Sequence, residues 1–116
     1  MSVTETASIT RVTPILHADD ADVSEQWYAQ LGFEVEYTHQ FEPGLPRFDT
    51  LRCGEVRLFL SEHGDAPRNG LIYLHVDDVD AVAGGLGVHA EDMPWGMREV
   101  HVTDPAGNRL RIGTGI

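Results

Sequence analysis

Apolar and polar positions alternate along the chain in two rhythms, one of period two and one of helical period, and both recur in the same order. Ile9 to Leu16 mixes β-branched residues with alternation and predicts a strand ending in an acidic cluster. Val23, Trp27 and Leu31 follow at helical spacing, with Gly32 as a left-handed stop. Asp20 or Asp22 starts this helix, and Asp22 followed by Glu25 has the form of a capping box. Phe33 to Tyr37 alternates as a strand, and His39 to Arg47, with Pro43, Gly44 and Pro46, reads as a long loop that carries function or moves. Phe48 to Cys53 and Val56 to Leu60 read as a hairpin turning at Gly54 and Glu55.

The second half repeats this order in shortened form. Leu74-His75-Val76-Asp77-Asp78-Val79-Asp80-Ala81 is a near copy of Leu16-His17-Ala18-Asp19-Asp20-Ala21-Asp22-Val23, identical at Leu, His and three Asp, with Ala and Val exchanged elsewhere. Leu71 to Val76 is the repeated strand, and Asp78 to Leu86 the repeated helix, with Val79, Val82 and Leu86 on one face and Gly87 after it. Gly84 and Gly85 each cost about 1 kcal/mol against Ala in a helix interior, so packing must hold this helix. Val88 to Asp92 is ambiguous. Met97 to Val102 and Arg109 to Ile112 flank Asp104-Pro105-Ala106-Gly107, a type I turn pattern.

Each half therefore reads as strand, helix, then two or three strands. The expected fold is α+β, a single domain over residues 1–116, with tandem βαβββ modules at 9–60 and 71–113 and a linker at 61–70. Strand parity sends Val56, Leu58, Leu60, Leu110 and Ile112 toward the helices and Arg57, Phe59, Arg109 and Arg111 to the opposite side. Two such half-sheets facing one another would enclose a cup.

Composition narrows the function. In 116 residues, 41% hydrophobic, there is chain enough for one core, while either half alone would be marginal. Nineteen acidic against eight basic residues give a formal charge of −11, which disfavours nucleic acid and anionic membranes; it would attract a cationic ligand, and it equally fits a highly solvated or salt-adapted surface. Cys53 is the single cysteine, so neither an internal disulfide nor a CxxC site can form. Met1 to Ser8 lacks the pattern of a signal peptide, and no run approaches a membrane span, so a cytoplasmic location is expected.

Certain side chains could carry chemistry. His17 and His75, beside their Asp pairs, could suggest metal sites, but adjacent strand residues point to opposite faces and Asp favours helix caps, so capping is the better reading. Trp27 is periodic and reads as core, whereas Trp95, between Pro94 and Gly96, is either a loop anchor or a binding plate. Glu99 and His101 share parity with Met97 and would look into the cup with Arg111. A His-Glu pair can do acid/base work, and the structural alternative is a Glu99 to Arg111 salt bridge.

These residues resemble the vicinal oxygen chelate superfamily, which groups glyoxalase I, extradiol dioxygenases and fosfomycin- and bleomycin-resistance proteins. The strand ending in Asp-Asp, Trp27-Tyr28, Leu31-Gly32-Phe33 and Asp104-Pro105-Ala106-Gly107-Asn108 carry the likeness over nearly the whole chain. The superfamily's enzymes hold a metal on the first and last strands of their modules. Those positions fall here on Thr13, Leu71, Phe59 and Arg111, which are poor ligands, so no metal and no other cofactor is expected.

Pro94-Trp95-Gly96, Arg98-Glu99 and the final turn are similar to the bleomycin-resistance branch in type and order. That branch implies sequestration of a bulky cationic aromatic drug, without catalysis, in clefts of a domain-swapped homodimer. Trp95 and Phe41 would be stacking plates, with Phe59, Glu99, His101 and Arg111 lining the cup. The alternatives are a metal-dependent glyoxalase-like or dioxygenase-like enzyme, and a metal-free enzyme using Glu99 or His101.

Overall fold

The computed structural model describes residues 7–116. Residues 1–6, with most of the stretch read above for a leader sequence, lie outside the described residues. The order of elements is β1 (Ile15–His17), α1 (Ala21–Ala29), β2 (Glu34–Gln40), β3 (Arg47–Cys53), β4 (Val56–Ser61), β5 (Leu71–His75), α2 (Val79–Leu86), β6 (Glu91–Asp92), β7 (Met97–Thr103) and β8 (Arg109–Gly115). They form two four-stranded sheets, ordered β1-β4-β3-β2 and β5-β8-β7-β6. In each sheet the first strand runs parallel to the last and the other pairs are antiparallel. This is the α+β architecture of paired βαβββ modules that the repeat predicts.

The hydrophobic cluster joins both halves: Leu16, Tyr28, Leu58 and Leu60 from the first with Val100, Leu110 and Ile112 from the second. Burying each of these large side chains contributes about 1.5–3 kcal/mol. Polar clamps fix the halves to each other. The Tyr28 hydroxyl donates to Asp104 at 2.6 Å, and Asn108 donates from Nδ2 to the His17 carbonyl at 2.7 Å. Asp104 also accepts from the amides of Ala106 and Asn108, so the turn between β7 and β8 is locked from within. Burial and the Asp104 charge push the Tyr28 phenol up, keeping it a proton donor.

Several expectations need correction. The first strand begins at Ile15 instead of Ile9, because before it only the Pro14 carbonyl is held by the sheet, accepting from the Phe59 amide at 2.9 Å, and residues 7–13 have no strand partner among the described residues. Helix α1 is capped by Asp20, whose side chain accepts from the Asp22 amide, so Asp22 and Glu25 do not form a capping box. They pair with Arg47 on β3 instead, at 2.9 and 2.5 Å. The buried face of α1 is Ala21, Ser24 and Tyr28; Val23 is exposed, and Trp27 and Leu31 only flank the core. Val56 likewise ends exposed, at the start of its strand. The long loop contracts to a hairpin connection, since β2 runs on to Gln40 and pairs with Arg47. Helix α2 is capped by Asp78 and stopped by Gly87 at φ 70°, and Val79 and Ala83 are its buried residues.

Candidate functional site

With α1 and α2 on one side of the sheets, each keeps an open face. On the first sheet that face carries Phe48 and Phe59, whose rings pack at 5.1 Å, and a carboxylate and guanidinium network. Arg57 donates twice to Glu36 at 2.9 Å, and Arg52 approaches Glu34 and Glu36 at 4.0 Å. Phe41 sits almost fully exposed at the tip of the β2 to β3 connection.

The open face of the second sheet holds a tighter constellation centred on Glu99. Its Oε2 accepts from Trp95 Nε1 at 2.8 Å and from the Tyr73 hydroxyl at 3.0 Å, and its Oε1 lies 2.8 Å from His101 Nε2. Glu99 is 1% exposed, sealed by its own partners rather than by depth. His101 and then Trp95 hold its carboxyl below the usual carboxylate range. Tyr73 is pushed up by burial and by the Glu99 charge. The result is a fixed anion that orients an indole, a phenol and an imidazole. Trp95 remains 58% exposed, so its Nε1 edge is tethered while ring surface is left for a guest.

Backbone geometry makes this packing feasible. Gly96 has φ 85° in the turn that carries Trp95. At Gly113 an added Cβ would lie 2.0 Å from the Tyr73 hydroxyl and 3.1 Å from Glu99 Cγ. Tyr73 therefore crosses β8 above a residue with no side chain. The His75 ring rests against Tyr73, centroids 4.7 Å apart.

Of the residues singled out in the sequence, Trp95, Glu99 and His101 are brought together, and Arg111 stands beside them as the cross-strand partner of both His101 and Tyr73. The Glu99 to Arg111 salt bridge does not form, because three other donors occupy Glu99. Phe59, in the other sheet, and Phe41, in the connection between β2 and β3, do not join this cluster. Sequence reasoning missed Tyr73 and Gly113, and it weighed His75 only as a metal ligand or cap neighbour, not as a ring packed on Tyr73. Tyr73 was legible by parity with Leu71, but the reach of its hydroxyl over Gly113 depends on the β5 to β8 register.

That register also tests the metal positions. Ile15 lies opposite Phe59, and Tyr73, not Leu71, lies opposite Arg111. An alkyl group, a benzene ring, a phenol with raised pKa and a guanidinium are not a donor set for a divalent cation. Among the described residues, no three His, Cys, Asp or Glu side chains are grouped to hold one. His101 oriented by Glu99 has the form of a general base, but among the described residues it is hydrogen-bonded to no Ser, Thr or Cys side chain.

A family model described as glyoxalase superfamily protein matches residues 2–115. No curated protein matches the chain by sequence. Among solved structures, a bleomycin-binding protein complexed with bleomycin superposes with TM-score 0.74 at 19% identity, over 93% of this chain and 100% of the other. A bleomycin-binding protein from bleomycin-producing Streptomyces verticillus, complexed with copper(II)-bleomycin, gives 0.70 at 26% identity over 95% and 99%. A lactoylglutathione lyase from Agrobacterium tumefaciens gives 0.69 at 25% over 93% and 96%.

Proposed function

The chain belongs to the glyoxalase superfamily, and we propose that within it this protein captures a bulky aromatic small molecule of the bleomycin type without converting it. The observation that carries this reading is the loss of donors on the paired strands, where Ile15, Phe59, Tyr73 and Arg111 stand. Without a metal, the site's remaining chemistry is recognition. Trp95 offers a tethered aromatic plate, and the −11 charge raises the local concentration of a cationic drug at low salt. Phe41 and Phe59, with Glu99, His101 and Arg111, complete the binding surface when two chains form a homodimer with clefts between modules of different subunits.

The test is fluorescence of Trp95 in a Trp27→Phe background, titrated with bleomycin. A saturable change at about micromolar concentration or below is expected, and Trp95→Ala, followed by isothermal titration because it removes the reporter, should weaken binding about ten-fold. Silence toward bleomycin and its relatives would sink the drug assignment. The rival is a metalloenzyme, favoured by the likeness to a lactoylglutathione lyase. Purified protein loaded with Ni, Zn, Mn or Fe and then dialysed should retain none at stoichiometric level; retention together with turnover would decide for the rival.

A further inference from the structure

All eight basic residues are arginines, and the fold spends most of them on pairing. Arg47, Arg52, Arg57, Arg68 and Arg98 each meet at least one carboxylate within 4.0 Å. Arg11 acts on Glu36, whose carboxyl is held low chiefly by Arg57. Arg109 and Arg111 have no carboxylate partner among the described residues. With nineteen acidic residues in the chain, this is a departure from the pattern of the molecule.

Their position makes the departure informative. Both project from β8, an interior strand of its sheet, on the open face, because Leu110 and Ile112 between and beyond them are buried. Arg109 lies between Leu71 and Thr103, and Arg111 between Tyr73 and His101. Together with Leu71, His101 and Thr103 they line a cavity of about 170 Å³. Glu99, on the neighbouring strand β7, already accepts from Trp95 and Tyr73 and is bonded to His101, and it forms no ion pair with either arginine. Two like charges two residues apart on one strand face repel, and a single anion between them would relieve that repulsion. Planar guanidinium forks match the paired oxygens of a carboxylate or phosphate.

We propose that Arg109 and Arg111 form a subsite for an anionic group, carboxylate or phosphate, on a guest whose aromatic part rests against Trp95. The net charge of the molecule steers cations toward it, but this face selects the opposite sign. The guest therefore carries an aromatic system and an anionic group, whatever cationic groups it also bears. The subsite rests on the reading that guests bind on this face; it does not require that the guest be bleomycin.

Isothermal titration of the full chain with 2-naphthoate, 2-naphthyl phosphate and 2-naphthylmethylamine tests this. One of the two anions should bind about ten-fold or more tighter than the amine, and the tighter of them identifies the group. In the Arg109→Ala/Arg111→Ala double variant that preference should vanish while amine affinity is unchanged or improved. Both side chains are exposed, so folding should be unaffected, as circular dichroism would check. Equal or tighter binding of the amine, no anion binding at millimolar concentration, or undiminished anion binding by the double variant would each overturn the subsite. So would dissociation of a wild-type oligomer in the double variant, which would mean that the arginines pair with acids of a second copy. Bleomycin binding without anion preference would sink the subsite alone, whereas anion preference without bleomycin binding would sink the drug assignment alone.

Discussion

At the scale of single residues, the candidate site depends on a side chain that is absent. Gly113 reads in the sequence only as the end of an alternating run, yet it is where Tyr73 crosses to reach Glu99. Gly113→Ala should force Tyr73 away, break its hydrogen bond to Glu99 and destabilise the fold by about 1–3 kcal/mol, the usual cost of overpacking. Chemical denaturation measures this, and Tyr73→Ala in the same background should recover part of the loss. Wild-type stability in Gly113→Ala would mean that Tyr73 lies elsewhere. The same residues show what was legible beforehand. Parity alone put Glu99, His101 and Arg111 on one face. It could not say that Trp95, two positions before its strand, would take the carboxylate that Arg111 was expected to hold, because that choice is made by a turn with positive φ at Gly96.

At the scale of elements, α1 shows how packing overrides a stripe of hydrophobic residues. Val23, Trp27 and Leu31 are the more apolar set, but Ala21 and Ser24 permit close approach to the sheet, and only Tyr28 can bond Asp104 in the other half. Rotation onto that face turns Glu25 toward β3, where Asp49, fully buried, and Arg47 await it. Burial first, and the Asp49 charge next, push the Glu25 carboxyl up to about 7, while Arg47 and Asp22 act on it with opposite signs. Asp49 is held low by Glu25, Arg47 and Thr38 against its own desolvation. A raised carboxyl pKa means that the folded state binds the proton more tightly than the unfolded chain. Its contribution is complete below the ordinary value of 4.5 and is lost as pH rises through about 7. Asp49 has the reverse sign and acts only in acid, so it does not cancel this effect above pH 5. Stability should therefore fall between pH 5 and pH 8 by roughly 1–3 kcal/mol, and Glu25→Gln should flatten the profile. A wild-type profile already flat over that interval would show that Arg47 neutralises the pair at every pH.

At the scale of the whole molecule, the tandem repeat made the order of elements legible, because a duplicated pattern constrains both halves at once. It could not reveal how the halves sit, which is decided by Tyr28, Asp104, Asn108 and the His17 carbonyl, contacts between positions far apart in the chain. The resulting shape is open. The radius of gyration is 16.0 Å, against about 13 Å for a compact chain of this length. Ile9 and Val12 are 90% and 84% exposed, on a segment whose alternation predicts a strand. β1 and β5 each leave one edge unpaired among the described residues, and an unpaired strand edge recruits another strand. A second copy supplying that strand would bury Ile9 and Val12 and close the open faces into clefts. Sedimentation equilibrium should then give a dimer at micromolar concentration, and Ile9→Asp/Val12→Asp should shift it to monomer. If the guest lies between modules of different subunits, that monomer also loses binding of the naphthyl probes while its circular dichroism spectrum persists. A wild-type monomer that binds them as tightly as expected would instead put the whole site within one chain, on the open face around Trp95, Tyr73 and Glu99.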